Sequence, residues 1–248
     1  MITKQNHPVD HLRVLMEAVS PYPPGVIPIP AAVAHTSFFP GGTGIWNTAS
    51  GKPTPPMPTG GFMILGHDYD SEAGYQKTFL RGSENLDGPT WGNLLKLLRR
   101  VNISPKDCFF TNFFMGLRVG KVAMGIFPGR GDTEFVKRCR HFLSQQLEFQ
   151  RPRLVVTLGA HVPHLIASMS SRLSPWNNAK TFRRIDCNDQ SVLTEVSFNQ
   201  DFTTTFAALT HPCYRQLNVR TRQYRGEQGE AAELLMLADA IAFSQRSP

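Results

Sequence analysis

The sequence predicts an α/β protein: a sandwich of helices around a mostly parallel four-stranded sheet. Three observations carry this. Four short, mainly apolar runs stand far apart in the chain, as strands buried on both faces do. Between them lie stretches whose apolar residues recur at threes and fours, the helical period. The 248 residues are 41% apolar and 18% charged, enough to close a core without staples.

Taken in order, a helix is expected over Val9–Val19, with Leu12, Leu15 and Met16 on one side. Pro and Gly then punctuate Pro21–Gly60 too densely for helix or strand. Because Phe38, Phe39, Ile45 and Trp46 sit inside it, this stretch reads as an ordered segment wrapping the domain. Phe62–Leu65 is the first buried strand. Thr90 is placed to cap a helix ending near Asn102, with Leu94, Leu95, Leu97 and Leu98 on its inner side. Cys108–Thr111 is the second strand. A long helix opens at Asp132 or Thr133 and runs through Phe149, burying Phe135, Cys139, Phe142, Leu143 and Leu147. Leu154–Leu158 is the third strand, and it runs through Gly159 into a short helix around Leu165. Residues 182–198 read as a hairpin, FRRID against VLTEVSF across CNDQ. Thr203–Leu209 is the fourth core strand, and an amphipathic helix over Glu230–Phe243 closes the fold. An N-terminal helix and wrapping segment (1–60) thus precedes one domain (61–248), with no internal repeat.

Lys and Arg number 26 against 19 Asp and Glu, giving a net charge of +7 and a pI near 9.5. Such a balance favours nucleic acid or another anionic surface as partner. No apolar run reaches the ~18 residues of a membrane span, and the polar start MITKQNHPVD is unlike a signal peptide, so a cytoplasmic protein is expected. Cys108, Cys139, Cys187 and Cys213 are isolated, which argues against a disulfide framework or a zinc ribbon.

In a parallel sheet the site lies outside the carboxyl ends of the strands. Gly66-His67-Asp68-Tyr69-Asp70 follows the first strand, where a carboxylate can orient water or stabilise a cation, or merely cap the loop. Asn112 closes the second strand; its amide can read the edge of a base, or make an Asx turn. His211-Pro212-Cys213-Tyr214 ends the fourth strand, and a neutral imidazole there can donate to an oxygen gaining negative charge. The following RQLNVRTRQYR interleaves Arg215, Arg220, Arg222 and Arg225 with Tyr214, Leu217 and Tyr224. That composition suits phosphate contact and duplex distortion, and it also suits a solvated face. His161 and His164 lack a third ligand at fixed spacing, and no phosphate-binding glycine loop occurs, so no metal or nucleotide cofactor is expected.

In this order the motifs MILGHDYD, TWGNLLKLLRRVNISPKDCFFTN, CRHFLSQQLEFQRPRLVVTLG and THPCY resemble the uracil-DNA glycosylase superfamily, over most of residues 60–245. The phrase RPRLVVTLG and the closing His-Pro are similar to its iron–sulfur-type branches, without the cluster cysteines: only Cys139 falls on a ligand position. The resemblance implies a three-layer α/β/α sandwich. It implies Asp68 as the water-positioning carboxylate and His211 as the residue stabilising the departing base. Gly66, His67, Tyr69, Phe79 and Asn112 would hold the flipped base, with Phe79 stacking on it and Asn112 reading its edge. Tyr214, Arg215, Gln216 and Leu217 would enter the duplex, with Arg220 and Arg222 on the phosphates. Tyr69 stands where the family has Pro, and Cys213 where it has Ser. A long segment, MGLRVGKVAMGIFPGRGD, follows the Asn motif and is expected to rim the pocket.

The activity implied is that of a monofunctional, cofactor-free, monomeric DNA glycosylase acting on a flipped-out uracil or modified pyrimidine. The alternatives are a glycosylase acting on phage-modified bases in defence, and a catalytically silent nucleic-acid-binding member of the fold.

Overall fold

The computed structural model describes residues 8–30, 58–199 and 201–245. Phe38, Phe39, Ile45 and Trp46, on which the wrapping segment was argued, lie outside the described residues. Helix α1 (Pro8–Glu17) precedes the two-residue strand β1 (Val26–Ile27). After it come β2 (Phe62–Gly66), α2 (Glu72–Arg81), α3 (Pro89–Arg100), β3 (Cys108–Asn112), β4 (Leu117–Arg118) and α4 (Thr133–Gln150). Then follow β5 (Leu154–Leu158), α5 (His161–Ile166), α6 (Phe182–Cys187), β6 (Val192–Asn199), β7 (Phe202–Leu209), α7 (Arg215–Asn218) and α8 (Gly229–Ser244), with a small hairpin over 223–228 before α8. Among the described residues no helix is long and apolar enough to cross a membrane.

The central sheet has five strands in the order β3-β2-β5-β7-β6, not the expected four. β5 pairs in parallel with β2 (Phe62 opposite Leu154) and with β7 (Leu158 opposite Leu209), whereas β6 runs antiparallel to β7. β2, β3 and β5 are buried at every position, which is why they read as continuous apolar runs without alternation.

The fifth strand corrects the predicted hairpin. FRRID is not a strand; it forms α6, started by Thr181, whose hydroxyl accepts the Arg184 N–H at 3.4 Å. Its inner side buries Ile185 and Asp186. VLTEVSF is a strand as expected, but it pairs with β7 across a tight connection. Likewise Thr90 does not cap α3. The helix starts at Pro89 behind Gly88, with no side-chain cap. Proline suits that first position because the missing N–H has no intrahelical acceptor.

Two compact units form. Of the described residues, one comprises 8–30, 68–84 and 110–147; the other comprises 58–67, 85–109, 148–199 and 201–245. The first unit is built on aromatic packing: Phe114 stacks on Phe127 at 4.4 Å, and Phe135 joins them from α4. β1 pairs there with β4, Val26 opposite Arg118. The second unit holds β2, β5, β7 and β6 with α3, α5, α6 and α8, and its core includes Trp91, Leu97, Phe206 and Met236.

Candidate active site

The site residues expected from the sequence fall in both units. In the first unit, Asp68 follows the end of β2 by two residues and its carboxylate is held by Arg118 of β4. Arg118 Nε and Nη2 donate to the two carboxylate oxygens at 3.3 and 3.1 Å. The rest of the guanidinium donates to the carbonyls of Met124, Gly125 and Ile126 at 3.4, 3.0 and 3.0 Å. A two-point contact fixes both the position and the plane of a carboxylate.

The neighbouring acids have other tasks. Asp70 accepts the Ser71 N–H at 2.6 Å at the start of α2, where the Ser71 hydroxyl accepts the Gly74 N–H. Glu72 accepts the Gly120 N–H at 3.1 Å on the surface.

Asn112 ends β3 with only 2% of its surface exposed. Among the described residues its amide nitrogen finds no hydrogen-bond partner. Tyr69, which interacts with Thr111 and Asn112, donates its hydroxyl to Met115 Sδ at 3.7 Å. Burial, foremost, holds its phenol well above the ordinary value, so it stays a neutral donor. Thr111 is tied to Gln146 of α4 at 2.6 Å. A buried donor without an acceptor costs about 1–3 kcal/mol, and the Tyr69 hydroxyl is the oxygen that the Asn112 side chain interacts with. Phe79 stands on α2 and is 40% exposed. Cys139 is buried in α4, where burial pushes its thiol up to about 12 and leaves it inert.

In the second unit, His211 stands two residues beyond β7. Its Nδ1 accepts the Cys213 N–H at 3.2 Å. An acceptor Nδ1 in a neutral ring leaves the proton on Nε2, which is therefore a donor. Gly159, at the end of β5, holds φ +95° and donates to Leu209 O at 2.8 Å. A Cβ there would stand 3.5 Å from His211 Cβ, so the glycine answers both a left-handed turn and a close approach. Asn93 of α3 donates to Pro212 O at 2.9 Å and buttresses the loop from another side. Gly66 is the last residue of β2, and the His67 ring tilts against that of His161 at 5.7 Å. Among the described residues no group of three metal-ligating side chains forms.

The His211 loop is anchored by charges that the sequence reading put elsewhere. Glu233 of α8 is wholly buried and accepts from Thr210 N–H at 2.6 Å and from Thr210 Oγ1 at 3.1 Å. It is paired with Arg215, and with Arg222 at 2.7 Å. Arg222 also grips both oxygens of Asp186 at 2.9 and 3.0 Å, and donates to Ala208 O at 2.8 Å. Asp186 in turn accepts from Ser191 Oγ at 2.6 Å. Arg222 is 0% exposed and Arg215 is 8% exposed, whereas the resemblance implied Arg222 on a phosphate and Arg215 in the duplex. Burial, first among the causes, lowers the pKa of both guanidinium groups. Tyr214 and Leu217 are exposed, as are Gln216 and Arg220.

The uracil DNA glycosylase superfamily model matches residues 61–230. The chain belongs to that superfamily. No curated protein matches it. Membership points to DNA glycosylase activity in general, on DNA as partner. It covers both units' candidate residues, from Gly66 to Arg222.

Sequence reasoning passed over three residues of this uracil-DNA glycosylase superfamily member: Arg118, Asp186 and Glu233. Glu233 carried a signal. It lies in step with Ala232, Met236, Leu237 and Ala240, all buried, inside an otherwise apolar run. A carboxylate on the inner face of a helix requires a partner. Arg118 gave none, because its partner is fifty residues away in the chain.

Proposed function

We propose that this protein is a monofunctional DNA glycosylase that hydrolyses the N-glycosidic bond of a flipped-out uracil or modified pyrimidine, leaving an abasic site. The observation that carries the reading is Asn112, whose buried amide N–H₂ makes no hydrogen bond of ordinary geometry among the described residues and lies beside the Tyr69 hydroxyl. Its complement is a carbonyl oxygen, the group that uracil has where cytosine has an amine. A site built on such a hydrogen bond rejects a base lacking the acceptor more strongly than a shape-selective pocket does.

The chemistry follows from the charges. As the glycosidic bond lengthens, its electron pair goes to the base and the sugar gains cationic character. Asp68, kept in place by Arg118, stabilises that cation and orients the water that attacks the anomeric carbon. Nε2–H of neutral His211 donates to the base oxygen as it becomes anionic. The water's proton is released to solvent or the departing base. Phe79 is assigned to stack on the base, with Gly66, His67 and Tyr69 lining its seat. Tyr214, Gln216 and Leu217 are assigned to enter the duplex and Arg220 to meet a phosphate, each being exposed.

The test uses the purified full chain on oligonucleotides bearing one uracil opposite guanine, opposite adenine or in single strands. Alkali-labile sites in wild type, lost in both Asp68→Asn and His211→Ala, are the expected result. If wild type binds the DNA but leaves no abasic site in these or in modified-base DNA, hydrolysis is rejected.

A further inference from the structure

The segment after β4 is the feature that the glycosylase reading leaves unused. Val119, Val122, Met124 and Ile126 expose 54, 70, 66 and 77% of their surface. Exposed apolar side chains are ordinary singly, but four within eight residues form a patch. Lys121 is exposed among them, and no Asp or Glu occurs from Phe113 to Gly131. From α2, Glu72 reaches the segment only at the Gly120 N–H.

The loop is not loosely attached. Arg118 binds the carbonyls of Met124, Gly125 and Ile126 with the same guanidinium that holds Asp68. Val119 N–H donates to Gly25 O at 3.0 Å, and Gly120 O accepts the Ala73 N–H at 3.0 Å. Phe127, directly after the apolar tips, is buried under Arg118, whose guanidinium carbon lies 5.3 Å from the ring. The base of the loop is therefore fixed while its tips stand in solvent, a costly arrangement unless something covers them.

We propose that Val119–Ile126 is an apolar wedge that seats against a DNA duplex, moored through Arg118 to Asp68. This rests on the glycosylase reading, and it adds a duplex-contacting element besides Tyr214–Leu217. DNA is the occupant that the charges select: a cation amid apolar tips, with no carboxylate in the segment, suits a polyanion whose base steps can accept a wedge. The mooring places contact with the duplex one guanidinium away from the carboxylate that orients water. Loss of the wedge should then be felt both in duplex binding and in turnover.

The experiment compares wild type, the triple variant Val122→Ser/Met124→Ser/Ile126→Ser and the control Val14→Ser, which alters an exposed valine of α1. The probe is a duplex carrying an abasic-site analogue, with 2-aminopurine next to it to report unstacking. The triple variant is expected to bind about tenfold or more weakly, with an unchanged salt slope, because apolar contacts release no counterions. It should also lose the 2-aminopurine signal, while Val14→Ser matches wild type. Lys121→Ala should lower the salt slope by about one, and serves as the second variant if the triple one fails to fold. Wild-type-like binding and unstacking by both loop variants would overturn the wedge and leave the glycosylase reading standing. A wild type that binds no duplex and releases no base removes both. Loop-dependent dimers in sedimentation, with DNA binding unaltered by the variants, would make the occupant a second copy and overturn the proposal.

Discussion

At Asn112 the demands of stability and of the proposed base reading pull against each other. Among the described residues its buried amide nitrogen makes no hydrogen bond of ordinary geometry, whereas Thr111 beside it is tied to Gln146. Replacing the amide by an apolar side chain of similar shape removes the unsatisfied donor, and such changes are neutral to stabilising by about 1 kcal/mol. Asn112→Leu is therefore expected to keep or raise Tm while lowering uracil excision by about a hundredfold or more. Thermal melting and single-turnover excision on one preparation check it. A fall in both would make Asn112 an ordinary structural residue. At this scale the sequence was informative where chain neighbours decide the role. Asn112 at a strand end and His211 before Pro could be singled out from spacing, because one closes an apolar strand and the other stands two residues beyond one. What Asp68 touches could not, since Arg118 is brought to it by the pairing of β4 with β1.

Among the elements, α8 does more than cover the sheet. Glu233 gathers Thr210, Arg215 and Arg222 on one carboxylate, and Arg222 passes the link to Asp186 of α6. Five side chains thereby tie the end of β7, α7, α6 and α8 together around the loop that carries His211. Breaking one partner of a buried ion pair leaves an uncompensated charge and costs about 3–5 kcal/mol. Glu233→Gln is expected to lower the urea midpoint accordingly, with an unchanged m value. Equal stability of variant and wild type would mean that the network carries no net weight. The same network explains where element prediction failed. FRRID sets its two apolar residues, Phe182 and Ile185, three apart as a helix does, but over too short a span to fix a period. The buried Asp186 decides for the helix, because it must reach Arg222 and Ser191. The strands β2, β3 and β5 were legible because burial on both faces leaves a mainly apolar run.

For the molecule as a whole, the charge that matters is the charge left at the surface. Arg215, Arg222, Asp186 and Glu233 cancel within the interior, so the net +7 belongs to the remaining residues. Composition thus announced a polyanionic partner correctly in kind, while the arginine-rich stretch overstated how many of its guanidinium groups can meet one. The distinction is measurable through counterion release. Each phosphate neutralised contributes about −0.9 to the slope of log K against log salt on duplex DNA. Arg220→Ala, at an exposed position, should make that slope shallower by about one and weaken binding uniformly across sequences. Arg222→Met should leave the slope of the folded protein unchanged, because its charge is spent on Asp186 and Glu233. Binding isotherms over a salt series, taken on the folded fraction of each variant, compare the two directly. Equal reductions for both would mean that Arg222 leaves its buried partners on binding, and the interior network would then be a reserve of charge for DNA instead of an anchor for the His211 loop.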